Sequence, residues 1–520
     1  MFSPDSSQDS ENYSIHRNGA ADTGSRDTVP SQADLVILGG GAAGLCAAIG
    51  AATRMGEAAK SIVVVESAAR LGGAARMSGG GMCLVGTDLQ RRHGVKDGVE
   101  LALSDWELAG GPSADLEWAR AYLTDSNEEV FVWLAQLGLK WQTLNRQEAN
   151  TVARWHSPAG AGPAVVQALI DRLKDLPVTV VTATRATKLL FNSGSICGAE
   201  VKTQAGRQEI RTSTVVVTTG GFVANAQMVR EAASARWAGV RVLSGGAPTA
   251  VGQGHRMLSA SGAIFDGLDR MAVYPVGTPN THSGDPDKGV VIRGITNDVW
   301  VNQDGRRFHD ERLRGGASGG GAVRAQPGAT FWGITDAHGV SNVKINGDEY
   351  FGLGDEIHVD RVQEFLRQSP YIKQADTIEE LAIAAGLPAD VVVSSVEAYN
   401  REVREEDDSA SPASESLTPA TRRKPIEKAP FTSIQYFPIA QKNLGGVVTD
   451  LCCRVLDSSR SPIPGLFAAG EVAGMGGGHI NGDGALEGTM LGPSLYSGKI
   501  AGRSAADYIL SNPESSRSTT

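Results

Sequence analysis

Cysteine is scarce in this chain. Its 520 residues hold five, Cys46, Cys83, Cys197, Cys452 and Cys453, none in a CxxC pair and none in a CxxCH haem-attachment site. Cys452 and Cys453 are adjacent, a poor geometry for a mutual disulfide. The set fits a reducing compartment, and a cytoplasmic protein is expected. Long apolar runs are missing too: no stretch approaches the ~18–20 residues needed to cross a bilayer, so no membrane span is expected. Basic residues are not in excess. Lys and Arg total 48 against 58 Asp and Glu, a net charge of −10, which argues against nucleic acid or an anionic membrane as the main partner. The histidines show no metal-ligand spacing, so no metal is expected. No internal repeat is evident. Residues 1–30 are polar, with neither an apolar signal core nor the Arg bias of a transit peptide; they and 512–520 read as disordered tails.

Glycine, by contrast, is abundant: 64 residues, where ordinary usage of about 7% would give far fewer. Such an excess marks tight backbone approaches, as around a large cofactor. The chain exceeds the ~250–300 residues at which one core stops growing, so two domains are expected. Ala33–Leu38 reads as a buried parallel strand. Gly39-Gly40-Gly41-Ala42-Ala43-Gly44 follows, then a helix over Leu45–Met55 and a strand over Ser61–Val65 that ends at Glu66. Gly39 allows the tight turn, Gly41 lets backbone approach a pyrophosphate, and Gly44 lets helix pack on strand. The anion then sits at a helix N-terminus, and the acid about 20 residues on accepts ribose hydroxyls. Thr214–Thr218 reads as a later strand closing on Gly220-Gly221. Thr377–Gly386 and Asp390–Arg401 read as helices, Glu402–Lys424 as a loop, Pro464–Gly470 as a strand and Ser494–Ser511 as a final helix. This order predicts an α/β, Rossmann-like dinucleotide-binding domain over 31–265 and 438–511, interrupted by an α+β capping (substrate) domain over 266–437.

FAD and NAD share the fingerprint, and the choice between them rests on further segments. These are RLGGAARMSGGG at 70–81, VVVTTGGFVAN at 215–225, DGRRFHDE at 304–311, ADTIEEL at 375–381, LGGVVTD at 444–450 and GLFAAGEVAG at 465–474. Together they resemble the fumarate reductase/succinate dehydrogenase flavoprotein superfamily of the FAD-binding 2 type, over most of residues 33–510. Residues 78–106, ARWHSPAGAGP at 153–163 and GHINGDGALEGT at 478–489 are most similar to its 3-ketosteroid-dehydrogenase-like branch. The resemblance implies FAD, held by Gly39, Gly41, Ala42, Ala43 and Gly44 at the phosphates and by Glu66 and Ser67 at the ribose. Gly72, Gly73, Ala74, Ser78, Gly80, Gly81, Gly220, Gly221, Gly470 and Glu471 would line the rest, with Glu471 on the ribityl chain. Leu491, Gly492, Pro493, Ser494 and Leu495 open the last helix. The N–H donors of that helix would face N1 and O2 of the isoalloxazine, with Pro in the first turn where its missing N–H costs least. Some relatives link flavin to a histidine just before their glycine run; Ala74 stands there, so the FAD is expected to be non-covalent. No second GxGxxG is present, so electrons must pass through a separate acceptor or donor.

Fumarate reductases clamp their dicarboxylate with arginines and histidines. Arg312 and Arg314 follow the GRRFHDE-type motif, near the place of a proton-donating arginine. A second arginine belongs in the C-terminal glycine stretch, and Ser461–Gly502 contains none. Two family histidines are replaced, by Tyr274 in YPVG and by Lys442 in QKNLGG. Lysine cannot reproduce a bidentate fork, so the site suits fumarate poorly. It suits a ketone better. Lys442, or a backbone N–H near Gly445, would polarise the carbonyl. Tyr274 or Tyr436 would take the α proton while hydride moves to flavin N5. Ketosteroid dehydrogenases place a tyrosine just before the proline of a PF…YP segment; Phe437 holds the aligned position and Tyr436 is one residue out of register. His156 and His479, in glycine-flanked loops, are candidates to meet substrate, whereas His309 reads as structural. The expected activity is oxidation of a CH–CH bond, or reduction of the C=C bond, beside the carbonyl of a steroid-like or other apolar cyclic ketone. The alternatives are an unsaturated-acid reductase of the fumarate type and a non-catalytic flavin electron carrier.

Overall fold

The computed structural model describes residues 28–58, 61–295, 297–311, 313, 318–346, 350, 358–409 and 423–512. Arg312, Arg314, nearly all of the two expected tails and the middle of the expected 402–424 loop lie outside the described residues. The chain divides into two units: residues 1–228, 249–270 and 443–520, and residues 229–248 and 271–442.

The first unit is built on a six-stranded sheet. Its order is Arg454–Leu456, Pro462–Ala468, Val215–Val217, Leu35–Leu38, Ile62–Val65 and Val178–Val181. All neighbours are parallel except the first pair. Leu35–Leu38 is buried on both faces, which is why it reads as an unbroken apolar run. Its alternate residues feed two cores. Leu35 and Ile37 pack under helix Ala42–Met55, while Val36 and Leu38 face the antiparallel meander of Arg185–Asn192, Ser195–Thr203 and Gly206–Arg211. After Leu38 the chain builds the sheet to one side, then returns to build the other. The crevice at such a switch point, beyond the strands' C-terminal ends, is where α/β sheets bind ligands.

In the second unit a long strand, Phe431–Asn443, is the centre of a mixed sheet. It pairs with Phe331–Thr335, Leu243–Ser244 and Ile372–Ala375, and borders Met271–Pro279. Helix Ile378–Ala385 is capped as its sequence demands: Thr377 accepts the Glu380 N–H at 3.2 Å, and Gly386 ends it in the left-handed region at φ 73°. It packs with helix Ala389–Ser409 on Val299, Val301 and Ile334.

Two expectations differ from what is observed. The insert is not one segment over 266–437: it runs over 271–442 and includes 229–248, because Leu243–Ser244 pairs in parallel with Ile439–Ala440. The segment after Arg401 is not loop throughout. The helix continues to Ser409, with Val403 buried and Glu402 held by Arg307 and Arg423.

Candidate active site

The glycine motif separates into two kinds of glycine. Gly39 has φ +110°, and a Cβ there would stand 2.4 Å from the Thr218 carbonyl oxygen; one on Gly44 would stand 1.9 Å from the Gly39 oxygen. The protein's own packing demands both. A Cβ on Gly41 would meet nothing within 4 Å. That open space lies at the start of helix Ala42–Met55, which has no capping side chain and no acid in its first turn. Its leading N–H groups therefore remain for an anion. Glu66 ends the neighbouring strand and ties it to the motif: its carboxylate accepts from the Gly40 N–H (2.7 Å), the Ala68 N–H (2.7 Å) and the Ser67 hydroxyl (3.1 Å). Burial pushes the Glu66 carboxyl above its ordinary range, and these hydrogen bonds pull it back.

Helix Leu491–Ser511 supplies a second free N-terminus, again without a capping side chain or an acid. Gly498 lies against Ala43 and Gly502 against Ala47, so the two helices run parallel in backbone contact. At 1.5 Å per residue the second helix starts roughly six residues, ~9 Å, beyond the first. Gly470 (φ +73°) enters between the two starts; its Cβ would stand 2.7 Å from the Ala43 Cβ and 3.9 Å from Ser494. Two positive helix ends thus flank one line, suited to a pyrophosphate at one and an electron-rich ring at the other. Gly72 bridges to Gly41, and Gly73 approaches the Gly41 Cα, with Ala74 following in the short helix Gly73–Arg76. Ser78 accepts the Gly80 N–H at 3.2 Å, and Trp155 stands so close behind Gly81 that a Cβ would strike its ring. The residues present fit FAD.

Gly221, Glu471 and Asn443 meet at one point, where a Cβ on Gly221 would lie 2.0 Å from Asn443 Oδ1 and 2.3 Å from Glu471 Oε1. Sequence reasoning missed Asn443; its only local signal is its place directly before the LGG of 444–446.

The expected substrate residues fare differently. His156 is enclosed, with Nδ1 2.7 Å from the Arg154 carbonyl and Nε2 2.8 Å from the Thr87 hydroxyl. Burial pushes its pKa down to about 4. Both nitrogens are spoken for, so the assignment to substrate is corrected. It lies not in a loop, as expected, but in the strand Trp155–Pro158, which follows buried Arg154, paired with Asp97 (2.9 Å) and Asp105. His479 is also enclosed: Nε2 donates to the Gly482 carbonyl at 2.5 Å, and the ring packs on Gly267. It braces its own loop, and burial lowers its pKa.

Strand alternation separates Tyr436 from its neighbour Phe437. Tyr436 pairs across from Phe331, its ring 5.1 Å away, and is 1% exposed in the core of the second unit. It is a packing residue, and its catalytic assignment is corrected. Phe437 faces the other way, clustering with Leu243, Val291 and Ile439 and with half-buried Tyr274, Val276 and Tyr371. Tyr371, which no sequence signal marked, stands edge-on to Phe437 at 5.7 Å. Lys442 is half-buried near the end of the same strand, next to Asn443. Arg307, just before the undescribed Arg312, is held by Glu311 (2.7 Å) and Glu402. A cavity of about 690 Å³ lies elsewhere, between the meander and helix Gln253–Ala260, and no residue of the glycine motif borders it.

The profile described as an FAD binding domain matches residues 34–490. A KsdD-like steroid dehydrogenase of Mycobacterium tuberculosis is 31% identical, covering 92% of this chain and 96% of that one. The 3-ketosteroid-Δ4-(5α)-dehydrogenase of Rhodococcus jostii, solved with 4-androstene-3,17-dione, superposes with a TM-score of 0.65 at 27% identity, covering 92% of this chain and 98% of its own. An open flavocytochrome c3 fumarate reductase gives 0.71 at 28%, covering 92% and 79%. Among the described residues no helix is long and apolar enough to cross a membrane, and no cluster of His, Cys, Asp and Glu could hold a metal. The chain belongs to the FAD-binding family that includes ketosteroid dehydrogenases and fumarate reductases, and is an FAD-dependent oxidoreductase of CH–CH bonds.

Proposed function

We propose that this protein dehydrogenates, or in reverse reduces, a C–C bond beside the carbonyl of a steroid-like or other apolar cyclic ketone. The first unit is the Rossmann-like FAD-binding domain and the second the capping, substrate-holding domain. The observation that carries the reading is the face of the second unit around Phe437. It offers Val276 and the rings of Tyr274 and Tyr371 over an aliphatic floor of Leu243, Val291 and Ile439. Such a face matches a flat apolar ring system better than a small dicarboxylate. FAD, when bound, exchanges the hydride. Gly41 and the first helix start bind its phosphates, Glu66 its ribose, and the turn at Gly492–Ser494 receives the ring. Ala74 has no nucleophile for a covalent link, so the FAD is non-covalent. Lys442 Nζ polarises the ketone oxygen; Gly445 is the weaker candidate, because Gly267 crosses where its side chain would begin, 2.1 Å away. Tyr274 Oη moves the α proton. Electrons leave or arrive through a separate acceptor or donor. The five cysteines are all unpaired, which supports a cytoplasmic setting.

One observation favours the acid-reductase reading: the Arg241 guanidinium stands 5.3 Å over the Phe437 ring. That group already donates to the Pro286 carbonyl and lies 3.9 Å from Asp287, so it is a weak carboxylate clamp. The test is a screen of cyclic ketones with an artificial electron acceptor, followed by flavin bleaching, with fumarate and reduced viologen in parallel. Bleaching by a ketone and no fumarate turnover is expected. Fast fumarate reduction without any ketone activity would reverse the assignment.

A further inference from the structure

Asn443 is fully buried at the end of the strand Phe431–Asn443, where it meets the segment at Gly221–Phe222 and the helical turn Gly470–Val472. Its Nδ2 donates to the Gly445 carbonyl (2.6 Å) and the Glu471 carbonyl (3.0 Å), and its Oδ1 accepts the Phe222 N–H (3.3 Å). Its own backbone N–H donates to Glu471 Oε1 at 3.2 Å. Gly221 completes the crossing, since Asn443 Oδ1 and Glu471 Oε1 both lie within 2.3 Å of where its Cβ would be. Among the described residues the side-chain amide thus bonds to backbone alone, on segments far apart in sequence. A buried amide so satisfied fixes one arrangement of its neighbours.

We propose that Asn443 is a positioning residue: it holds the Glu471 carboxylate in the flavin cradle and, through the peptide they share, anchors the backbone of Lys442. The inference rests on the reading of Glu471 as the residue that meets the ribityl chain. The chemistry requires asparagine rather than aspartate. A carboxylate at 443 would turn an oxygen toward two carbonyls and set a second negative charge beside Glu471. Among the described residues that Asn443 is shown to meet, Phe222, Gly221, Gly445 and Glu471, the titratable one is Glu471, and Lys442 next in sequence carries a positive charge.

The test uses the full-length holoprotein and three variants, Asn443→Asp, Glu471→Gln and the pair combined. FAD affinity and the flavin absorbance spectrum are followed from pH 5.5 to 8.5. Losing donors to buried acceptors and adding a charge should weaken FAD binding by roughly 10-fold or more in Asn443→Asp at high pH. Affinity should recover as the pH falls, because the new carboxyl, once protonated, regains one donor and sheds its charge. In the double variant the loss should be smaller than the two single losses combined. If Asn443→Asp folds only at low pH and takes up FAD there, that also supports the role. Wild-type affinity at every pH overturns it, as does a loss that acid does not relieve, including failure to fold throughout. If Glu471→Gln changes neither affinity nor spectrum, the reading of Glu471 fails first, whatever Asn443 does.

Discussion

Moving from pH 7.5 to pH 5 should destabilise this protein through two histidines buried as neutral rings. His255, in helix Gln253–Ala260, is enclosed between Phe222 at 5.2 Å and Phe265 at 5.9 Å, and neither of its nitrogens has a hydrogen-bond partner among the described residues. Burial, helped by Arg256, pushes its pKa from 6.5 down to about 3; His156 falls to about 4 through burial. In the unfolded chain both titrate near 6.5, so between that value and the folded one the unfolded state binds more protons. Their contribution is complete above pH 6.5 and is lost as the pH falls through that window. At 1.36 kcal/mol per pH unit, each histidine costs about 2 kcal/mol at pH 5, about 4 kcal/mol for the two. Carboxylates whose pKa is lowered on folding, such as buried Asp336, act further down, below the ordinary carboxylate pKa. Glu66 acts in the opposite sense, because its pKa is raised. A His255→Leu comparison separates the histidine from both. The assay is urea unfolding of the holoprotein at the two pH values, following the transition that releases FAD. The variant should lose about 2 kcal/mol of the pH-dependent drop. If its midpoint shifts with pH as the wild type's does, His255 is not a buried neutral ring and the argument fails.

Three further outcomes are expected. Gly41→Val should fold yet bind no FAD, since its side chain would fill only the space at the helix start, whereas Gly44→Ala should disrupt the fold itself; circular dichroism and the ratio of flavin to protein absorbance separate the two. Tyr274→Phe should slow single-turnover flavin reduction by a ketone substrate by about 10²–10⁴, while Tyr436→Phe alters stability without a comparable rate loss; equal rate losses would undo the assignment of faces. Acid precipitation should release intact FAD into the supernatant, and flavin left on the pellet would contradict the non-covalent reading based on Ala74.

The cofactor motif was legible because its requirements are local. Gly39, Gly44 and Glu66 answer to a turn, a helix contact and a strand end within one short stretch of chain. The face around Phe437 was only half legible. Tyr436 and Phe437 are neighbours with opposite fates, and what separates them is a pairing with Phe331 that no local pattern records. His156 reads as available in a glycine-flanked loop, but it sits in the strand Trp155–Pro158, where its Nε2 meets the Thr87 hydroxyl, 69 residues earlier in the chain. Segment 229–248 was misplaced for a related reason. Its one strand, Leu243–Ser244, is too short to show a period, and it belongs to the second unit through its pairing with Ile439–Ala440. Asn443 is the extreme case. Its bonds go to Phe222, 221 residues earlier, and to Glu471, 28 residues later. Beyond its place directly before the LGG of 444–446, nothing near it in sequence distinguishes it from a loop asparagine. A positioning residue is defined by partners rather than by its own segment, so it comes into view only when the chain is folded.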